Sequence, residues 1–199
     1  MPLKFSKTSH TYTNDGLVVP SVTQVISGVG LTNFGGISPD ILQRAADFGT
    51  AVHRGCHLDD LGDLDELSLD PNLKPYLEAW RSFRGGMIFE AIEQPLFHSG
   101  YGFCGTPDRI AKYYSTAHGK GMPAIIDLKS GTTVYPSTAI QLVGYAILAD
   151  FPTARRIAVQ LLPTGKFKVH EYKDRSDREI FLAALAVYKW GRNHATNSK

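Results

Sequence analysis

"GTPDRIAKYYSTAHGKGMPAIIDLKSG", residues 105–131, decides the fold. It contains two runs rich in apolar and aromatic residues, RIAKYY and PAIIDLK, separated by a Gly-containing turn, and this pattern predicts two adjacent strands. Each run meets an aspartate where a buried strand favours an apolar side chain. Residues two apart on a strand share a face, so Asp127 and Lys129 project together and Ile126 and Leu128 project to the other side. A carboxylate aimed inward loses its hydration unless it is paired or holds a metal. An Asp127–Lys129 salt bridge alone would satisfy that demand. Asp108, on the neighbouring predicted strand after Gly105-Thr106-Pro107, adds a second carboxylate, and Gly105 permits a close backbone approach. Two carboxylates converging beside a lysine make a hard-cation site. Mg²⁺ prefers one or two carboxylates, water and substrate phosphate, and lowers the pKa of a bound water to make a nucleophile. Lys129 is then placed to orient that water or stabilise charge on the phosphate.

Outward from this stretch the period of the sequence alternates between helix and strand. Residues 4–27 read as two short strands joined at Asn14-Asp15-Gly16, followed by Pro20 and Ser21, which stop the strand and cap a helical turn. Ser38-Pro39-Asp40 starts a helix to about residue 60, with apolar spacing at Ile41, Leu42, Ala45, Phe48 and Val52. The acidic run "HLDDLGDLDELSLDP", 57–71, lacks the ligand spacing and central Gly of a calcium loop and reads as a solvated helix end or loop. Pro71 to about Arg84 is a second amphipathic helix stopped by Gly85-Gly86. Then "MIFEAIEQPLFHS", "GFCGTPDRIAKYY" and "PAIIDLKSG" read as three strands, and "STAIQLVGYAILAD" as a helix. A hairpin turning at Pro163-Thr164-Gly165 and a closing helix capped by Ser176 complete the chain. The expectation is one α/β domain of 199 residues, with a central mixed sheet flanked by helices.

Composition excludes several alternatives. No window approaches the roughly 20 apolar residues of a membrane span, and the first residues lack the apolar core of a secretory signal. Cys56 and Cys104 are too few for a four-thiolate cluster and read as buried free thiols. Residues 151–199 carry ten Lys/Arg against four Asp/Glu, a basic third suited to phosphate or simply solvated. There is no G-x-S-x-G elbow, P-loop or G-x-G-x-x-G fingerprint, so no nucleotide cofactor is expected. A zinc site at His53, Cys56 and His57 lacks a second ligand pair at zinc spacing.

Taken together, "GTPD", "IIDLKSG" and "QLVGY", preceded by "VPSVTQVIS" and "FGTAVH", resemble the PD-(D/E)XK nuclease superfamily over residues 10–150. The likeness is strongest to its RecB-like and phage exonuclease branch, including mitochondrial genome maintenance exonucleases. The resemblance implies a restriction-endonuclease-like fold and a divalent-metal-dependent DNA exonuclease. It implies Asp108 and Asp127 as metal-binding acids, Lys129 as the catalytic lysine and the Leu128 backbone carbonyl as a further ligand. His53 matches the helical metal ligand of the branch, with Mn²⁺ as suitable as Mg²⁺, and Glu93 matches an acidic position before the first aspartate. Gln141 and Tyr145 stand at i and i+4, matching the Q-x-x-x-Y motif. Asp127 replaces the Glu of the commoner E-x-K form. The two cysteines exclude the iron–sulfur cluster of some relatives.

DNA with a free end is the expected substrate. Arg155, Arg156, Lys166 and Lys168 are expected backbone contacts, and Lys112 and Tyr113 offer charge and stacking. A recombination or single-strand-binding protein is the expected partner, and the cytoplasm the expected location, that of a host if the chain is phage-encoded. A structure-specific endonuclease and a DNA-end-binding module without cleavage are the alternatives.

Overall fold

In the computed structural model of the protein, which describes residues 3–6, 9, 11–32, 35–114 and 121–194, with backbone alone for Tyr113 and Tyr114, Gly121–Lys129 form strand β8. It is the middle strand of a mixed five-stranded sheet. The order is β10 (Phe167–Tyr172), β9 (Arg155–Leu161), β8, β7 (Arg109–Tyr114) and β4 (Ile88–Ile92). Only the β8–β9 pair is parallel, and its crossover is helix α4 (Ser137–Leu148), since parallel neighbours need a long return connection.

The alternation expected of β8 sorts its side chains onto two helical layers. Ile125 joins Ile110 and Ala158 on the face packed by α1 (Val22–Gly28), α4 and α5 (Ser176–His194), through Val22, Ile140 and Phe181. Ala124, Ile126 and Leu128 face α2 (Pro39–Leu61) and α3 (Lys74–Arg84), meeting Val52, Cys56 and Trp80. Ile125, Ile126 and Leu128 are each at most 1% exposed, and each contributes about 1.5–3 kcal/mol by burial. Asp127 is therefore held in a strand that its apolar neighbours fix.

Of the capping signals Ser21 acts as read, whereas Ser38 precedes α2 without a side-chain cap hydrogen bond and Ser176 is the first residue of α5, its N–H and hydroxyl donating to Asp174 Oδ1. Ser21 Oγ accepts from Gln24 N at 3.2 Å while Ser21 N donates to Gln24 Oε1 at 3.0 Å, closing a capping box on α1. Asp15 and Gly16 turn the hairpin between β2 (Thr11–Asn14) and β3 (Leu17–Val19) with φ of 51° and 81°, and β1 (Lys4–Ser6) adds an outer strand to it. The helix expected from Pro71 begins at Lys74, because Asp70 Oδ1 accepts from Asn72 N and holds a turn first. Two of the three expected strands are each divided in two. Glu93, at φ 47°, and Pro95 break the first, leaving β5 (Leu96–His98), and Pro107 breaks the second after β6 (Phe103–Gly105). The pair β5–β6 forms its own small sheet. The turn expected between β7 and β8 falls on 115–120, outside the described residues.

The acidic run is the clearest departure from its sequence reading. Asp60 is fully buried and its Oδ2 accepts from Arg109 Nε at 2.7 Å, while Oδ1 accepts from Trp80 Nε1 at 2.9 Å. Asp59, nearly as buried, pairs with Arg81 and Arg84, and Arg81 also reaches Glu66. The guanidinium of Arg109 lies 5.4 Å over the Trp80 ring. The last turn of α2 is thus bolted to α3 by partly exposed ion pairs and to β7 by a buried one, a role that a count of acids does not distinguish from solvation. Both cysteines are buried free thiols, and burial pushes each up to about 12. Among the described residues no helix is long and apolar enough to cross a membrane.

Candidate active site

Strand β7 starts at Arg109, opposite Ile126, so β8 runs past the start of its neighbour. The N–H and C=O of Leu128 consequently face a gap where the ladder has ended, and a buried backbone group must find a partner there. Asp108 and His53 supply them. Asp108 Oδ2 accepts from Leu128 N at 2.7 Å, and His53 Nε2 lies 3.0 Å from Leu128 O. The other imidazole nitrogen, Nδ1, stands 3.4 Å from Asp108 Oδ1. Extending the β7–β8 register by one residue sets Asp108 opposite Asp127.

On the α4 face Lys129 Nζ is 2.7 Å from Asp127 Oδ2 and donates to Gln141 Oε1 at 3.3 Å. Gln141 Nε2 donates to Asp127 Oδ1 at 3.0 Å and to Tyr145 OH at 3.3 Å. The helical i, i+4 pair expected from sequence therefore reaches the strand pair directly. Gln141 fixes both charges. Tyr145 is buried, and burial holds its phenol protonated.

Gly105 explains how Tyr145 fits. A Cβ there would lie 2.9 Å from Tyr145 Cε1 and 3.0 Å from Leu148 Cδ1. Gly105→Ala is expected to destabilise the protein by about 1–3 kcal/mol through overpacking, seen as a lower denaturant midpoint.

The charges differ in their response to burial. For Asp108 burial pushes upward, but the adjacent His53 and the Leu128 N–H outweigh it and hold the carboxyl below its usual range. For Asp127 burial dominates, and Lys129 offsets only part of it, so the carboxyl is raised. Lys129 is lowered by burial but raised further by Asp127, and stays charged. For His53 burial pushes downward, while Asp108 more than reverses it and brings the imidazole from 6.5 to about 8. With both ring nitrogens against acceptor oxygens, the imidazolium is the form these contacts suit. Because the folded value lies above the unfolded one, the stabilisation is fully present below pH 6.5 and is lost as pH rises through about 8. Melting in EDTA should show a fall across that window, and His53→Gln should flatten it.

The donor set has the chemistry of a hard or borderline divalent ion: two carboxylates, a carbonyl and an imidazole. As placed, these groups pair with one another, and among the described residues no three His, Cys, Asp or Glu side chains converge on one ion position. One atom is left over. Asp127 Oδ2 is buried without a hydrogen-bond donor, because the close Lys129 ammonium lies off the hydrogen-bonding direction. An acceptor in that condition fits a metal ion.

Glu93 sits elsewhere than at the two aspartate carboxylates. Its carboxylate is 3.3 Å from His57 Nδ1 and 3.7 Å from Arg109 Nη1, although its backbone N–H donates to Asp108 O at 3.0 Å. Cys56 packs in the α2–α3 core and His57 faces Glu93, so neither shares a site with His53.

The basic residues divide sharply. Arg155 Nε donates to Glu171 at 2.8 Å, and buried Arg156 donates to Asp177 and to Asp174 O, each at 2.6 Å. Both expected backbone contacts are thus held in ion pairs, Arg156 buried and Arg155 partly exposed. Lys112 pairs with Glu90 at 2.8 Å, and the Tyr113 side chain lies outside the described portion. Lys166 is exposed in the β9–β10 turn, and Lys168 is exposed on β10 in the same cross-strand row as Gln160 and Lys129. Beside Lys129 and Gln141 opens a groove of about 510 Å³ walled by Thr23, Ser27, Tyr135 and Thr138, with no carboxylate in its lining. Sequence reasoning missed this groove because its walls come from α1 and the loop before α4, each unremarkable alone. Searches against protein-family models and curated proteins found no match to the chain.

Proposed function

We propose that the protein is a divalent-metal-dependent DNA exonuclease of the PD-(D/E)XK type, hydrolysing phosphodiester bonds in DNA recombination, repair or processing. The observation that supports it best is that the β7–β8 register, extended by one residue, sets Asp108 opposite Asp127, with the Leu128 N–H donating to Asp108, the Leu128 carbonyl at His53 and Lys129 beside Asp127. Asp108, Asp127 and the Leu128 carbonyl would hold Mg²⁺ or Mn²⁺, with His53 as a further ligand in its neutral form. The ion supplies Lewis-acid polarisation of the phosphoryl group and a water of lowered pKa.

The chain's own residues do the rest. Lys129, kept charged by Asp127 and aimed by Gln141, donates to the phosphate as negative charge builds in the transition state. Gln141 and Tyr145 are positioning residues: they hold Asp127 and Lys129 at fixed angles so that little reorganisation accompanies the reaction. The carboxylate-free groove beside Lys129 accommodates the nucleoside next to the scissile phosphate without repelling it. The expected products are a 5′-phosphate and a 3′-hydroxyl.

The test is incubation with Mg²⁺ or Mn²⁺ on end-labelled linear single- and double-stranded DNA and on closed circles. Mononucleotides from linear DNA with circles spared support the exonuclease. Nicked circles replace it with an endonuclease, and binding to ends without any cleavage replaces it with an end-binding module.

A further inference from the structure

On the sheet face that carries Asp127 and Lys129, the edge strand β10 contributes Lys168, His170 and Tyr172, in cross-strand rows with Lys129, Asp127 and Ile125 respectively. Beyond Tyr172 the strand leads into a pocket of about 500 Å³ between the turn at 152–154 and the start of α5. Five cations stand in or beside it against three carboxylates, and the pairing shows which charges are left. Glu171 is taken by Arg155 and, at 3.3 Å, by Lys173. Asp177 is taken by Arg156. Asp174, which also lines the pocket, accepts from Ser176 N and Oγ at 2.9 and 2.8 Å. Arg175 and Arg178 are both exposed, both line the pocket, and have no ion pair among the described residues.

Two guanidiniums without an ion pair among the described residues, in a pocket where cations outnumber carboxylates, form an anion site, since each fork matches phosphate geometry. We infer that Arg175 and Arg178 form a second phosphate-binding subsite that grips the DNA backbone away from the position of cleavage. The inference rests on the proposed nuclease reading and replaces Arg155 and Arg156, which are held in ion pairs, with the two arginines whose charge is unspent.

The experiment is equilibrium binding of a fluorescent single strand of about 20 nucleotides in EDTA, over a series of salt concentrations, by the wild type and by the Arg175→Ala/Arg178→Ala, Arg175→Lys/Arg178→Lys and Arg192→Ala variants. The double alanine variant should bind about tenfold more weakly, and its log K against log salt slope should flatten by about 1.4, the loss of two single-strand phosphate contacts. The double lysine variant should restore most of the slope. Arg192→Ala, on the same helix but in its last turn, should match the wild type. An unchanged slope in the double alanine variant overturns the subsite while leaving cleavage, and so the nuclease reading, intact. A wild type that neither binds nor cuts DNA removes both. Inorganic phosphate added at constant ionic strength should leave strand affinity unchanged. Displacement of the strand by millimolar phosphate would instead make this a free-anion site and overturn the backbone assignment.

Discussion

Asp127→Asn should lose at least about 10³-fold in DNA cleavage, corresponding to about 4 kcal/mol of transition-state stabilisation, while melting close to the wild-type temperature. Two opposed effects meet there. The amide relieves the burial cost that raises the Asp127 carboxyl, but it leaves Lys129, which Asp127 raises, without its counter-charge. The amide can still accept from Gln141 at Oδ1. It cannot supply the anionic oxygen, Asp127 Oδ2, that lacks a hydrogen-bond donor. Loss of cleavage accompanied by a clear drop in melting temperature would point to Asp127 as a structural partner of Lys129. Parallel melting and cleavage curves separate the two.

Asp60→Ala should be the most damaging substitution away from the site. It leaves the fully buried Arg109 guanidinium without its closest counter-charge and frees the Trp80 indole N–H. Breaking a buried pair in this way costs about 3–5 kcal/mol, a fall of roughly 6–20 °C in melting temperature for a chain of this size. Arg109 Nη1 also donates to the backbone carbonyl of Asp108 at 2.6 Å, so the same pair anchors the residue that closes the β7–β8 ladder. Cleavage should therefore weaken even at temperatures where the variant stays folded. A melting temperature within a few degrees of the wild type would show that Glu93, 3.7 Å from Arg109, can take over the charge.

Local spacing made part of the candidate site legible in the sequence; His53 and the Leu128 carbonyl came from the family resemblance alone, as did Glu93, which lies elsewhere. The period of two puts Asp127 and Lys129 on one face, and the helical i, i+4 spacing puts Gln141 and Tyr145 on another element's facing side. What spacing does not encode is who pairs with whom across the fold. Asp59 and Asp60 look like their solvated neighbours in an acidic run, and only α3 and β7 folding over them makes them core residues. Arg155 and Arg156 look like free cations until β10 and the segment before α5 bring Glu171 and Asp177 to them. The strand divisions at Glu93 and Pro107 follow from backbone conformation, which alternation of apolar residues does not report.

Whether Asp108 and Asp127 together hold a divalent ion decides the proposed function. Titration of the wild type and of Asp127→Asn with Mn²⁺, followed by the loss of the free-ion electron paramagnetic resonance signal, measures that without reference to any substrate. Saturable Mn²⁺ uptake by the wild type, displaced by Mg²⁺ and absent in Asp127→Asn, is the predicted result. Superimposable titrations of the two proteins would contradict it.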